Sequence, residues 1–138
     1  MLDRIHEESI LSYEEILTPF IPMLNNKNNE PLISIKIGEQ FYDATIDTGA
    51  SKSVLTKRPE DSQIEGTLRV RGAVGNARTV PKIKTKYLNI GPLSLDHSFL
   101  LIPSCPNNLV GRDLLCKIGA TIQCNPSGQI FLQLPMNL

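Results

Sequence analysis

The residues best suited to chemistry are Asp47, Thr48 and Gly49, which end the apolar approach Asp43-Ala44-Thr45-Ile46 and precede Ala50-Ser51-Lys52-Ser53-Val54-Leu55. The approach reads as a strand, and an acid placed directly after it costs free energy unless something holds it and uses it. Threonine supplies a hydroxyl that can lock the backbone, and glycine permits a tight turn or close approach. Together they describe a catalytic carboxylate on a rigid loop. The competing structural reading is a turn aspartate that caps backbone amides.

Other candidates for chemistry carry less. His6 and His97 read as surface or strand histidines, with no third ligand at metal spacing, so neither a metal nor any other cofactor is assigned. Ser51 and Ser53 have no histidine near them in sequence to form a nucleophile pair. Cys105, Cys116 and Cys124 are odd in number and lack C-x-x-C spacing, which reads as three small buried apolar residues in a reducing compartment.

The elements that must position the acid are mostly strands. Leu32, Ile33, Ile35 and Ile37 alternate up to Gly38-Glu39-Gln40, and Phe41 to Ile46 returns as a second strand. Val54-Leu55 begins a further short strand, and Pro59 to Ser62 is a loop. Thr67 to Val70 and Arg78 to Val80 bracket Gly72-Ala73-Val74-Gly75-Asn76 as a long hairpin with a glycine-rich tip. Lys82 to Asn89 alternates again, placing Lys82, Lys84 and Lys86 on one solvated face, and Phe99 to Ile102 is a buried run closed by Pro103 and Pro106. Helical spacing over Asp113 to Lys117 places Asp113 at the N-cap. Thr121 to Cys124 and Gln129 to Leu134 form a closing hairpin around Asn125-Pro126-Ser127-Gly128. This is an all-β domain of small closed-barrel or sandwich character.

The 138 residues suffice for one ordinary domain. Fourteen basic and fourteen acidic residues give zero net charge with no long basic run, so charge offers no case for nucleic acid or membrane as partner. Before Glu30 the sequence reads as short helical turns stopped by Pro19 and Pro22, then a polar linker Asn25 to Asn29. The expected division is residues 1–29 as an N-terminal extension or precursor segment and 30–138 as the domain proper.

Three blocks in order carry a resemblance to a known family: Pro31 to Leu55 with the Asp-Thr-Gly triplet, Val70 to Asn76, and Leu109-Val110-Gly111-Arg112-Asp113-Leu114-Leu115. They resemble the catalytic loop, flap and helix start of the retroviral aspartic proteases, or retropepsins, over residues 31–124. His97-Ser98-Phe99, Pro103, Cys105-Pro106 and the Gly111 to Leu115 run are most similar to gammaretroviral members. The resemblance implies a small retropepsin-type closed barrel with one short C-terminal helix and a glycine-rich flap, active as a two-fold homodimer. The implied activity is hydrolysis of peptide bonds in a Gag-Pol polyprotein, within a virion or the host-cell cytoplasm.

Carboxylate-driven peptide hydrolysis needs a pair sharing one proton, one member drawing a proton from water while the other donates to the scissile carbonyl. Like charges about 3 Å apart cannot both ionise. The sequence has a single Asp-Thr-Gly, so the pair must come from Asp47 and its symmetry mate. By resemblance, Thr48 braces the partner's loop, Gly49 contacts the substrate backbone, and Ala50 forms part of the pocket floor. Gly72, Ala73, Val74 and Gly75 form the flap over the peptide, Asn107 and Leu109 the pocket wall, and Arg112 is a buried arginine tying the helix, with Asp113, to the active-site loop or dimer interface. Ser51 and Lys52 stand where one common retropepsin pattern has acids, which leaves charge preference at outer substrate positions open. The chain also continues past Cys124 into a further hairpin, and Gln129 to Leu134 are expected to supply most of the dimer sheet contacts. Competing readings are a catalytically silent retropepsin-like dimerisation or peptide-binding domain, as in domesticated viral or ubiquitin-linked relatives, and a precursor held inactive by the residues before Glu30.

Overall fold

In the computed structural model of the chain, residues 20–25, 30–71 and 76–135 are described. The first long strand shows why the sequence folds as it does. In β3 (Pro31–Ile37) the isoleucines at 33, 35 and 37 are buried while Ser34 between them is exposed, the two-residue period of a sheet with one face on a core. A two-residue turn at Gly38-Glu39 returns the chain into β4 (Gln40–Ile46), antiparallel to β3 from Leu32↔Thr45 to Ile37↔Gln40. Ala44, Thr45 and Ile46 at its end are all buried, because β9 (Asn108–Val110) lies parallel along it from Ala44↔Asn108 to Ile46↔Val110.

The remaining strands are β5 (Val54–Leu55), β6 (Gln63–Arg71), β7 (Ala77–Ile90) and β8 (Leu93–Leu101). Neighbours run β3-β4-β9-β5-β8-β7, and pairing of Lys36 and Ile37 with Asn89 and Leu88 joins β7 back to β3, closing a six-stranded barrel. Closure leaves these strands without free edges. The short β2 (Leu24–Asn25) adds outside β3, and β6 outside β7. Ile35, Ile83, Leu88, Ile90 and Phe99 belong to one buried core cluster, together with Val110 and Leu114. Phe99, the largest fully buried side chain, sits at 0% exposure.

The helix α1 (Arg112–Lys117) turns Leu114 and Leu115 onto that core, and Gly119, at φ +64, ends it in the left-handed region glycine favours. Beyond it, β10 (Thr121–Cys124) and β11 (Ile130–Gln133) form the expected hairpin, and β1 (Phe20–Pro22) joins on the other side to give a three-stranded sheet. Leu132 and Leu134 point into the core, while Phe20 and Phe131 pack edge-to-face on the outer side, their ring centroids 6.0 Å apart.

Four sequence readings are corrected. The helix starts at Arg112 with Gly111 as its N-cap, because the Asp113 carboxylate is engaged by long-range partners. The stretches read separately as Arg78 to Val80 and Lys82 to Asn89 are one strand. β7 runs through Pro81 for 14 residues, and its pairing with β6 shifts register between Ile64 and Thr67, next to the Thr67↔Pro81 pair. β8 begins at Leu93 rather than Phe99. Cys116 and Cys124 are exposed rather than buried, one on the outward face of α1 and one on the edge strand β10; only Cys105 is half-buried.

Because Phe99 is the largest fully buried side chain of the core, Phe99→Ala should cost about 3–5 kcal/mol, read as a fall in the urea midpoint at unchanged slope.

Candidate active site

Asp47 follows the last residue of β4, where the ends of β4 and β9 and the start of α1 meet. Its backbone amide donates to the Val110 carbonyl at 3.0 Å, continuing the β4–β9 ladder by one bond. Its carbonyl accepts from the Ala50 amide at 3.1 Å, closing a tight turn, and the Gly49 amide donates to its Oδ1 at 3.0 Å. The carboxylate is thus held by its own loop, with Oδ2 free of any bond to that loop's amides. Asp47 is half-buried and Thr48 and Gly49 are exposed, so the triplet faces outward from the single chain.

The loop is braced from α1. The Arg112 amide donates to the Ala50 carbonyl and its Nη1 to the Thr48 carbonyl, each at 2.8 Å. These bonds link the helix start to the Asp47 loop, and Arg112, expected to be buried, is exposed in the single chain. Gly111 makes the approach possible. A Cβ there would stand 2.8 Å from the carbonyl oxygens of both Ala50 and Lys52, backbone atoms that cannot swing aside.

Behind the loop lies a polar network that sequence spacing did not reveal. The Asp113 Oδ1 accepts from the Ser53 hydroxyl at 2.7 Å and the Leu114 amide at 2.8 Å. Its Oδ2 accepts from the Ser53 amide at 3.1 Å and contacts His97 Nε2 at 2.9 Å. Ser53, fully buried, accepts in turn from the Gly111 amide at 2.9 Å. Lys117 lies 3.5 Å from His97 Nδ1, so the arrangement satisfying both ring nitrogens donates Nε2–H to Asp113. Serine, aspartate and histidine do meet here, but the carboxylate stands between the other two. The serine hydroxyl donates to an acid, not to a base, and is no activated nucleophile.

Beside the triplet opens a cleft of about 660 Å³ with Gly49 and Ala50 at one end and Val54, Leu100 and Leu109 among its apolar walls. Of the anticipated pocket residues, Leu109 lines it. Asn107 is half-buried just before β9, and its neighbour Asn108 makes the specific bonds, accepting from the Thr56 amide and donating to the Asp43 carbonyl, each at 2.9 Å. Gly72, Ala73, Val74 and Gly75 lie outside the described residues. Among the described residues no three side chains are grouped to hold a metal ion.

A sequence model of the retroviral aspartyl protease matches residues 27–123. The chain belongs to that family. The Gag-Pol polyprotein of feline leukemia virus is 39% identical over 99 residues, and that of baboon endogenous virus (strain M7) 40% identical over 108. Each match covers 72% of this chain and 6% of the polyprotein, so the chain spans a small part of these relatives' length. Among solved structures, a retropepsin-like aspartic protease from Rickettsia conorii superposes with TM-score 0.58 over 85% of this chain and 92% of that one, at 18% identity. The retropepsin fold is shared even where sequence has diverged that far.

Within this retropepsin fold, the Asp113 carboxyl is held at about 2 against an ordinary 3.8. Burial alone would raise it, but hydrogen bonds from His97 and from the Ser53 hydroxyl and amide, with electrostatic attraction to His97, outweigh burial. Because the folded value lies below the unfolded one, the contribution to stability is complete above the unfolded value and is lost as pH falls towards 2. Asp113→Asn should lower stability at neutral pH by about 1–3 kcal/mol and flatten the acid fall in melting temperature between about pH 4 and pH 2. Gly111→Ala should be destabilising by a comparable amount, about 1–3 kcal/mol by thermal melting, because the added methyl group meets backbone.

Proposed function

We propose that this chain is an aspartic endopeptidase that works as a homodimer, with Asp47 and its symmetry mate activating a water molecule against the scissile carbonyl. The observation that carries the reading is the Asp47 carboxylate itself, held by Gly49, braced through Thr48 by Arg112, and left facing outward beside an apolar cleft. A binding module has no use for an acid kept in that way. One carboxylate cannot be both the base that takes a proton from water and the acid that protonates the carbonyl, so a second copy must supply the twin. Thr48 is exposed in the single chain, where its hydroxyl is available to a partner loop.

The proposed contact between copies is the three-stranded sheet of β1, β11 and β10; because β11 is paired on both sides, by β1 and β10, the edge falls to β10 rather than to the expected Gln129 to Leu134. All four residues of β10 are exposed, and on its outer side β10 has no strand partner among the described residues, so its backbone groups offer a ready edge. Phe20, Gln123, Asn125 and Phe131 line a hollow of about 410 Å³ on this sheet, where partner side chains would seat.

The substrate would lie extended in the two half-clefts, main-chain hydrogen bonds supplying affinity and side pockets specificity, with residues 72–75 closing over it. Similarity to Gag-Pol polyproteins supports a viral polyprotein as that substrate, and hence a place in a virion or in the host cytoplasm as part of such a precursor. Residues 30–138 would form the protease domain, and 1–29 the segment preceding it, from which Phe20–Pro22 and Leu24–Asn25 add short strands.

Asp47→Asn tests the chemistry with almost no change in shape. Peptide cleavage should fall by at least about 10²–10⁴-fold while the melting temperature stays within a few degrees. Undiminished cleavage by the variant would refute the assignment. A wild-type protein that binds extended peptides without cutting any would instead establish the silent binding domain.

A further inference from the structure

The cleft beside Asp47 carries a charge pattern that the proteolytic chemistry does not require. Its walls are apolar, but its rim holds Lys52, Arg71 and Arg78, all exposed, and among the described residues lining it there is no carboxylate. The whole chain has as many acids as bases, so a rim on which the described lining residues carry three cations and, Asp47 beside it apart, no acid does not follow from composition.

These cations come from two separate parts of the fold. Lys52 lies two residues beyond Ala50, at the end of the cleft next to the acid. Arg71 ends β6 and Arg78 lies near the start of β7, with Arg71↔Ala77 and Val70↔Arg78 as neighbouring pairs of one hairpin. The Arg78 Nη2 donates to the Ser104 hydroxyl at 3.0 Å, which fixes that guanidinium across the gap between the hairpin and the segment following β8. One of its five N–H donors is thereby used, and a planar fork held in place is well suited to receive a carboxylate. Between the cations, Val54, Val70, Leu100, Ile102 and Leu109 give the cleft an apolar interior.

We propose that this cationic rim makes the enzyme select peptides with a glutamate or aspartate side chain outboard of the apolar residues that flank the scissile bond. The proposal rests on the endopeptidase reading and names a substrate class for the same cleft. An extended peptide displaces each successive side chain by about 3.3 Å along the strand, so the apolar interior and the charged rim are met by different residues of one substrate. Solvent-exposed ion pairs at such a rim give modest selectivity that salt screens.

The test is a set of matched peptides differing only by Glu or Gln at positions two to four residues to either side of the scissile bond. At least one position should favour Glu in kcat/KM by about three- to tenfold at low salt, falling towards one in 1 M salt. The double substitution Lys52→Gln, Arg78→Gln should bring that ratio towards one, whatever it does to the absolute rate. The same Glu/Gln pairs made with a non-cleavable reduced amide at the scissile position should show the same ratio in dissociation constants by fluorescence anisotropy. Cleavage with no Glu preference at any position, or a preference that survives the double substitution, overturns the rim's role and leaves the protease reading standing. Glu-selective binding without any cleavage overturns the protease reading and leaves the rim's role standing.

Discussion

The carboxylate of Asp113 is the joint on which the end of the molecule that carries Asp47 depends. Two of its bonds reach back sixty residues to Ser53, one reaches His97 on β8, and one goes to the adjoining Leu114 amide in the first turn of α1. A buried or half-buried carboxylate is costly unless each oxygen is satisfied, and here each accepts from two donors. The result is that the chain leaving the Asp47 loop, the strand β8 and the helix α1 cannot move independently. Gly111, which has no side chain to hold the backbones apart, lets the helix start lie directly on the carbonyls of Ala50 and Lys52.

That joint explains how an acid can sit on a loop and still be held in one place. Asp47 is fixed from in front by Gly49 and from behind by Val110, and the loop carbonyls are pinned by Arg112. Rigid elements thus do the positioning, and the loop only presents the group. The sequence has a single Asp-Thr-Gly triplet, so on the proposed reading the second acid comes from another copy. On the proposed dimer reading, a symmetric neighbour would cover the exposed Thr48 and the edge of β10 that has no strand partner among the described residues. On the same proposed reading, an extended peptide crossing two half-clefts would pass Lys52, Arg71 and Arg78 on each side.

Local signals in the sequence were enough for most of the barrel. Ile33, Ile35 and Ile37 announce β3 by period alone, Gly38 its turn, and the Asn125 to Gly128 run the closing hairpin, because each depends only on neighbours within a few residues. The Asp47 triplet was legible for the same reason. Elements set by distant contacts were not. Arg78 to Val80 and Lys82 to Asn89 read as separate stretches, yet β7 passes through Pro81 and joins them, paired along its length with β6 and β8. Asp113 has the look of a helix cap, but its carboxylate is taken by Ser53 and His97, sixty and sixteen residues away, and no spacing rule links those three. His97, read as an ordinary strand histidine, is buried in that network for the same reason. The exposure of Cys116 and Cys124 likewise depends on which face of α1 and which edge of the sheet the fold leaves uncovered.

The central claim is that one acid becomes useful only when a second copy of the chain sets its twin beside it. The most direct measurement is cleavage of a peptide per protomer over a dilution series, with the monomer and dimer populations followed in the same samples by sedimentation velocity. Specific activity should fall in step with the dimer fraction and vanish where only monomer sediments. Undiminished cleavage per protomer in samples that sediment wholly as monomer would contradict the claim.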